Sequence, residues 1–208
     1  MKPAADSLPP TSNGSQVASE KNTAMPSAPI LHRPVVLVGM MGSGKTAIGR
    51  ALAARLGVPF ADSDAEIEAA AAATIADIFA RDGEAFFRRR ESEVIARLIT
   101  ERPTILSTGG GAYLAERNRQ AIHDKGIAIW LNAPLSVLWD RVRHKDTRPL
   151  LRTADPYGTL AALFAARTPI YAKAELELPV QPRASIDDTT NAVIDLLRTR
   201  PDILEDRP

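Results

Sequence analysis

One eight-residue stretch restricts what this chain can fold into more than any other. It is "GMMGSGKT", Gly39 to Thr46, lying between the apolar run "VVLV" and the helix-like "AIGRALAARLG". Glycines let backbone N–H groups converge on phosphate oxygens that larger side chains would block, and a helix N-terminus adds partial positive charge. This is the pattern of a phosphate-binding P-loop, here in its required context between a buried strand and an amphipathic helix. Gly42, Ser43, Gly44, Lys45, Thr46 and Ala47 are the candidate nucleotide contacts. Lys45 has the reach for the β and γ phosphates, and the Thr46 hydroxyl suits magnesium, so the expected ligand is ATP with Mg2+.

The rest of the chain alternates. Strands are expected over residues 35–39, 59–64, 104–107, 127–132 and, more weakly, 176–180. Helical patterns separate them, the first running from Lys45 to Leu56 and stopped by Gly57. Thr74 and Asp77 have capping-box spacing, and Gly83 divides "TIADIFARD" from "EAFFRRRESEVIARLI". Apolar strands without alternation are buried on both faces, and helical crossovers make them parallel. The expected fold is a three-layer α/β arrangement over residues 33–200. Residues 1–32, rich in Pro, Ser and Ala, read as a disordered tail. A helix is expected over about Thr189 to Arg198, followed by a frayed end over 201–208.

Composition removes several function classes. The 208 residues contain no cysteine, which excludes disulfides, thiolate catalysis and cysteine metal sites, and three scattered histidines argue against a histidine metal centre. A formal net charge of +1 speaks against a nucleic-acid partner, although "RVRHKDTRPLLR" is locally basic. No apolar run approaches a membrane span, and the N-terminal stretch lacks the features of a secretory or transit signal, so a cytoplasmic protein is expected.

Other residues bear on the acceptor of the phosphoryl group. "DSD", Asp62 to Asp64, ends a strand at the ligand-facing edge of a parallel sheet, and strand alternation would set Asp62 and Asp64 on one side. One carboxylate then orders magnesium's water shell while the other meets an acceptor hydroxyl; the plainer alternative is a helix cap. Gly109, Gly110 and Gly111 follow a buried strand and let backbone approach a ligand or make a sharp turn. Arg88 lies three residues before Glu91 on one helix face, and Arg148 and Arg167 are further candidate anion contacts. Arginine grips carboxylates through paired hydrogen bonds, so the set suggests a small acceptor carrying a carboxylate and hydroxyls.

In order, "GMMGSGKT", "DSD", "IADIFARDGEAFFRRRE", "LSTGGGA", "RPLL" and "ARTPIY" resemble the shikimate kinase family over about residues 33 to 180. The resemblance implies a P-loop kinase fold with a five-stranded parallel sheet and a mobile lid, here about 143–157. It implies ATP-dependent phosphorylation of the 3-hydroxyl of shikimate, within aromatic amino acid biosynthesis, by a monomer. Lys45 would contact the transferred phosphate, Thr46 would bind magnesium directly, and Asp62 would hold it through water. Asp64 would bond the 3-hydroxyl and act as base or orienter. Arg88 and Arg167 would grip the carboxylate, with Glu91 steadying them and Gly109 to Gly111 against the ring. Arg148 would be the lid arginine, and Arg141 would lie near the adenine.

Ser107 stands where P-loop proteins often carry an acidic metal partner, a replacement the family allows, which leaves Asp62 as the main acidic partner for magnesium. The chain departs from the family pattern in two places: "VQPRASIDDTTNAV" does not reproduce the usual short "V-D-T" turn near the C-terminus, and the N-terminal tail of about 30 residues has no counterpart in the minimal enzyme. The nearest rival reading is another small-molecule P-loop kinase, such as a gluconate kinase. A rival of another class is a nucleotide-binding regulator without transfer chemistry, against which every matched catalytic position keeps its expected residue type.

Overall fold

The computed structural model describes residues 29–144 and 149–207 of the chain. In chain order the elements begin with β1 (Ile30–Leu31), β2 (Val35–Val38), α1 (Lys45–Leu56), β3 (Phe60–Asp62), α2 (Ser63–Ala71), α3 (Ile75–Glu101) and β4 (Ile105–Ser107). They continue with α4 (Glu116–Lys125), β5 (Ile127–Asn132), α5 (Leu135–Val142), α6 (Pro156–Tyr171), β6 (Leu176–Pro179), α7 (Ile186–Arg198) and β7 (Leu204–Glu205).

Five strands form one parallel sheet in the order β3-β4-β2-β5-β6. Val35, Val36, Leu37 and Val38 of the central strand have no exposed surface, because helices cover both faces. That is why their apolar run does not alternate. The loop after β2 therefore opens at the carboxyl edge of the sheet, where open α/β folds hold ligands.

Local signals set several boundaries. Gly44 precedes α1 at φ 101° and Gly57 closes it at φ 65°, both left-handed. Thr74 and Asp77 form the reciprocal capping box at the start of α3, and Gly83 (φ 82°, ψ 166°) interrupts that helix at the expected place. Ile67, Ile78 and Phe87 make a small second core between α2 and α3, apart from the main one.

Three expectations need correction. The strand expected over 59–64 ends at Asp62, and Ser63 already begins α2. Asp62 and Asp64 are thus a helix cap and a first-turn residue, not alternate strand positions. The last helix starts at Ile186, earlier than expected, because Ser185 and Asp188 form a second capping box. The C-terminal end does not fray where described: β7 pairs antiparallel with β1, and Ile203 and Leu204 are buried. The same pairing takes Ile30 and Leu31 out of the expected tail, and residues 1–28 lie outside the described part. No helix among the described residues is long and apolar enough to cross a membrane.

Candidate active site

The loop between β2 and α1 is turned by Gly39 (φ 136°), Gly42 (φ 83°) and Gly44 (φ 101°), conformations that side chains resist. Lys45, 8% exposed, folds back so that Nζ donates to the carbonyls of Gly39 and Met40 at 2.9 Å each. These bonds hold the ammonium over the loop's hollow. The Thr46 hydroxyl donates to Asp62 Oδ2 at 2.9 Å and lies 3.2 Å from Ser107 Oγ. Asp62 Oδ1 accepts from the backbone N–H groups of Asp64 and Ala65 at 3.1 and 3.4 Å. The carboxylate therefore caps α2, which is the plainer reading of "DSD", and reaches the loop threonine as well. Three oxygen donors, from Thr46, Asp62 and Ser107, converge here, a donor set that fits a hard divalent cation.

Asp64 projects from the first turn of α2, beside the triple glycine. Its Oδ1 is buried and has no hydrogen-bond partner among the described residues. Burial first, and then the neighbouring Asp62 charge, push its pKa up to about 6 against the opposing effect of Lys45; Glu68 adds to the rise and Arg88 opposes it. A Cβ on Gly109 would stand 2.5 Å from that same oxygen. A Cβ on Gly111 would stand 2.6 Å from the Arg88 guanidinium. The glycines thus let Asp64 and Arg88 reach one wall of backbone.

Arg88 is aimed by its own helix. Its Nη1 bonds both oxygens of Glu91 at 3.1 and 2.9 Å, and Nη2 reaches Glu84 at 3.2 Å. The Glu91 carboxylate is 1% exposed. Burial raises its pKa, with Arg88 opposing. Arg167, on α6, points Nη1 at the Gly110 carbonyl at 3.4 Å, and the Tyr171 hydroxyl donates to the same oxygen. Both guanidinium groups expected to meet an acceptor carboxylate therefore reach the triple glycine, from α3 and α6.

A cavity of about 530 Å³ connects the loop to this wall, lined by Lys45, Thr46, Asp62, Asp64, Gly109 and Gly110 among others. Arg141 lines its other end and donates to the loop carbonyls of Gly42 and Ser43 at 3.2 and 3.4 Å. Gly42, Gly44 and Ala47 line it too, whereas Ser43 is wholly buried. Arg148 lies outside the described residues.

The cavity also has walls that sequence reasoning missed. Ala184, Ser185, Ile186 and Thr189 line it from the start of α7, although "RASIDD" departs from the expected turn. The signal available was the Ser185 to Asp188 capping spacing, which fixes where that helix begins. Thr108 was missed as well; it is buried, bonds the Leu37 carbonyl at 3.1 Å and lines the cavity. No short-range pattern marks it.

A glycine-turned loop with its lysine, facing a buried carboxylate across a cavity at the edge of a parallel sheet, defines a P-loop phosphotransferase. The family model for shikimate kinase matches residues 41–198. The shikimate kinase of Ruegeria pomeroyi is 62% identical over 178 residues, covering 86% of this chain and 91% of its own length. That of Cereibacter sphaeroides is 57% identical, covering 84% and 87%. The chain belongs to the shikimate kinase family. Among solved structures, shikimate kinase from Acinetobacter baumannii in complex with shikimate superposes with a TM-score of 0.77 at 36% identity, over 81% of this chain and 94% of that one. A gluconokinase from Sinorhizobium meliloti, at 17% identity and a TM-score of 0.53, covering 81% of this chain and 94% of its own, shares the fold alone.

Proposed function

We propose that this protein transfers the γ-phosphoryl group of ATP to the 3-hydroxyl of shikimate, giving 3-phosphoshikimate and ADP, a step of aromatic amino acid biosynthesis. The observation that carries the reading is Asp64: a buried carboxyl oxygen without a partner among the described residues, set against Gly109, within the electrostatic reach of both Lys45 and Arg88. An orphaned buried acceptor is costly unless a ligand supplies its donor, and an acceptor hydroxyl is such a donor. Membership of the shikimate kinase family and the shikimate complex of the Acinetobacter relative support the same acceptor.

In this reading Arg88, aimed by Glu91, and Arg167 hold the shikimate carboxylate, while Gly109 to Gly111 lie against the ring. Asp64 receives the hydrogen bond of the 3-hydroxyl and takes its proton as that oxygen bonds the γ phosphorus. The bond from the γ phosphorus to the bridging oxygen breaks, and ADP leaves. A carboxyl whose pKa is raised to about 6 is a better proton acceptor near neutral pH than an ordinary aspartate. Lys45 and the loop amides, including those of Gly42 to Ala47, hold the phosphates. Thr46 would hold Mg2+ directly and Asp62 through water, as their convergence with Ser107 suits; bound there, the ion neutralises phosphate charge. Arg141 and the start of α7 face the end of the cavity suited to the base. Arg148, on the basic stretch assigned to a lid over about 143–157, would cover the γ phosphate and exclude water, as the resemblance implies. The working unit in this reading is a cytoplasmic monomer with no nucleic-acid or membrane partner, as the family resemblance, the formal net charge of +1 and the lack of a signal-like N-terminal stretch suggest.

The test is ADP release from Mg-ATP with shikimate, gluconate or no acceptor. Release with shikimate alone is expected. Release with gluconate alone would overturn the acceptor, and nucleotide binding without any release would favour a regulator.

A further inference from the structure

Three consecutive residues at the start of α4 hold both halves of the acceptor site, and none of them belongs to the motifs that mark it. Arg117 Nη2 donates to the backbone carbonyl of Arg88 at 2.6 Å. Asn118, 2% exposed, donates from Nδ2 to the Ala112 carbonyl at 2.8 Å. Arg119 Nη1 donates to the carbonyls of Tyr113 and Leu114 at 2.9 and 2.7 Å. The carbonyls of Ala112, Tyr113 and Leu114 belong to the short 3-10 turn, Ala112–Leu114, that directly follows the triple glycine.

We propose that Arg117, Asn118 and Arg119 are positioning residues that fix the gap between the triple glycine and Arg88, and so set affinity for the acceptor's carboxylate. The proposal rests on the reading above that Arg88 grips that carboxylate.

The physical need is plain. A lone 3-10 turn is a weak element with poor hydrogen-bond geometry. Its own backbone offers two bonds back to the glycines, from Ala112 N–H to Gly109 and from Leu114 N–H to Gly111 at 3.1 Å each. The carbonyls of Ala112, Tyr113 and Leu114 point onward, and side chains of α4 satisfy them. The clearance they maintain is narrow, since even a Cβ on Gly111 would stand 2.6 Å from Arg88 Nη1. A turn that slid towards α3 would collide with the guanidinium, and one that slid away would leave a gap on the ligand's ring face. Arg117 closes the frame by tying α4 to α3 at Arg88 itself. Its charge also acts on Glu91, the carboxylate that aims Arg88.

Arg117 is exposed, so its variants should fold. In the full-length protein, Arg117→Met is expected to raise KM for shikimate roughly five- to tenfold, about the net worth of one ordinary hydrogen bond. KM for ATP and Tm should stay as in the wild type. Arg117→Lys keeps a donor and the charge and should recover most of the loss. Arg119→Met should raise KM for shikimate similarly, again with KM for ATP unchanged. Shikimate KM within twofold of wild type in both methionine variants would overturn the proposal, as would an equal rise in KM for ATP. Wild-type protein that releases no ADP with shikimate would overturn the functional reading and this proposal together; wild-type turnover with unaffected variants overturns this proposal alone.

Discussion

The chain has two glycine-rich turns at the same edge of the same sheet, and they use glycine for opposite reasons. In the phosphate loop, Gly39, Gly42 and Gly44 all have φ between 83° and 136°, so glycine is there for its backbone. In the triple glycine no residue has positive φ, and Gly111 sits at φ −98°, ψ −15°, open to any side chain. There glycine is needed for what it leaves empty, the space taken by Asp64 and Arg88. The first turn is a local device, and in the proposed function it binds through its own amides. The second is a wall against which side chains from other elements are placed.

The sharpest way to break this contrast is Gly109→Ala. Its Cβ would meet Asp64 Oδ1 at 2.5 Å, the free end of a side chain that can swing away without unfolding anything. Turnover is expected to fall about 100-fold or more, because the proposed proton acceptor is moved off its place, and Tm should change by no more than a few degrees. Asp64→Asn sets the scale, with a loss of roughly 10² to 10⁴ while ATP binding persists. Thermal melts and kcat for both variants decide it. A Gly109→Ala protein that melts far lower would mean that glycine is required there by the backbone after all.

Gly39→Ala should behave in the opposite way. Its φ of 136° is strained for alanine, and the new Cβ would stand 2.9 Å from the Leu131 carbonyl of β5, which cannot rotate aside. Strain and overpacking together cost about 2 to 5 kcal/mol, so Tm should fall by roughly 5 to 15 °C. Nucleotide binding should be lost with it. Wild-type Tm in this variant would remove conformation as the reason for that glycine.

A pH measurement sharpens the same comparison. Burial and the charge of Asp62 raise the Asp64 pKa to about 6, from 3.8 as the reference value. The folded protein then holds this proton more tightly than the unfolded chain does, so stability from this group is full below about pH 4 and is lost as pH rises through about 6. In metal-free protein, denaturant melts at pH 4 and pH 7 should show wild type losing at most about 3 kcal/mol that Asp64→Asn does not lose. An equal pH dependence in the two proteins would mean that Asp64 is well solvated behind the glycines.

The contrast also explains what could be read in advance. The loop's form was legible because it lies in contiguous residues: strand, glycines, Lys45 and Thr46. The Thr74 capping box and the break at Gly83 were legible for the same reason. The acceptor wall was visible only as a string of glycines for which turn geometry was an equally good account, since nothing near Gly109 or Gly111 in sequence announces Asp64 or Arg88. The family resemblance assigned these residues to one site; the pairing of Gly109 with Asp64 and of Gly111 with Arg88 comes from the structure. The strand alternation assigned to Asp62 and Asp64 failed because the chain caps a helix with Asp62 one residue before the second carboxylate's turn begins. The chain end was misread because "RPDILEDRP" offers few apolar residues, and what orders it is the distant pairing with Ile30 and Leu31. The same holds for Asn118, whose partner carbonyl is set by a turn that no local pattern predicts.

The smallest expected effect concerns Ala72, where the chain lacks a glycine that local geometry favours. Ala72 closes α2 at φ 46°, ψ 37°, the one residue other than glycine with positive φ among those described. A left-handed backbone costs a residue with a Cβ about 1 kcal/mol relative to glycine, and the position is exposed, so no packing offsets that cost. Ala72→Gly should therefore stabilise the folded protein by up to about 1 kcal/mol, less the extra freedom glycine gives the unfolded chain. Chemical denaturation at equilibrium would read it as a higher midpoint at unchanged slope. Because Ala72 lies between α2, which carries Asp64, and the Thr74 cap of α3, the variant also asks whether acceptor affinity depends on how that join is held. Higher stability with unchanged KM for shikimate would make the join purely structural. A lower midpoint would show that the strain inferred at this residue is not there, and that the rule relating φ to glycine holds in the phosphate loop but not at this helix end.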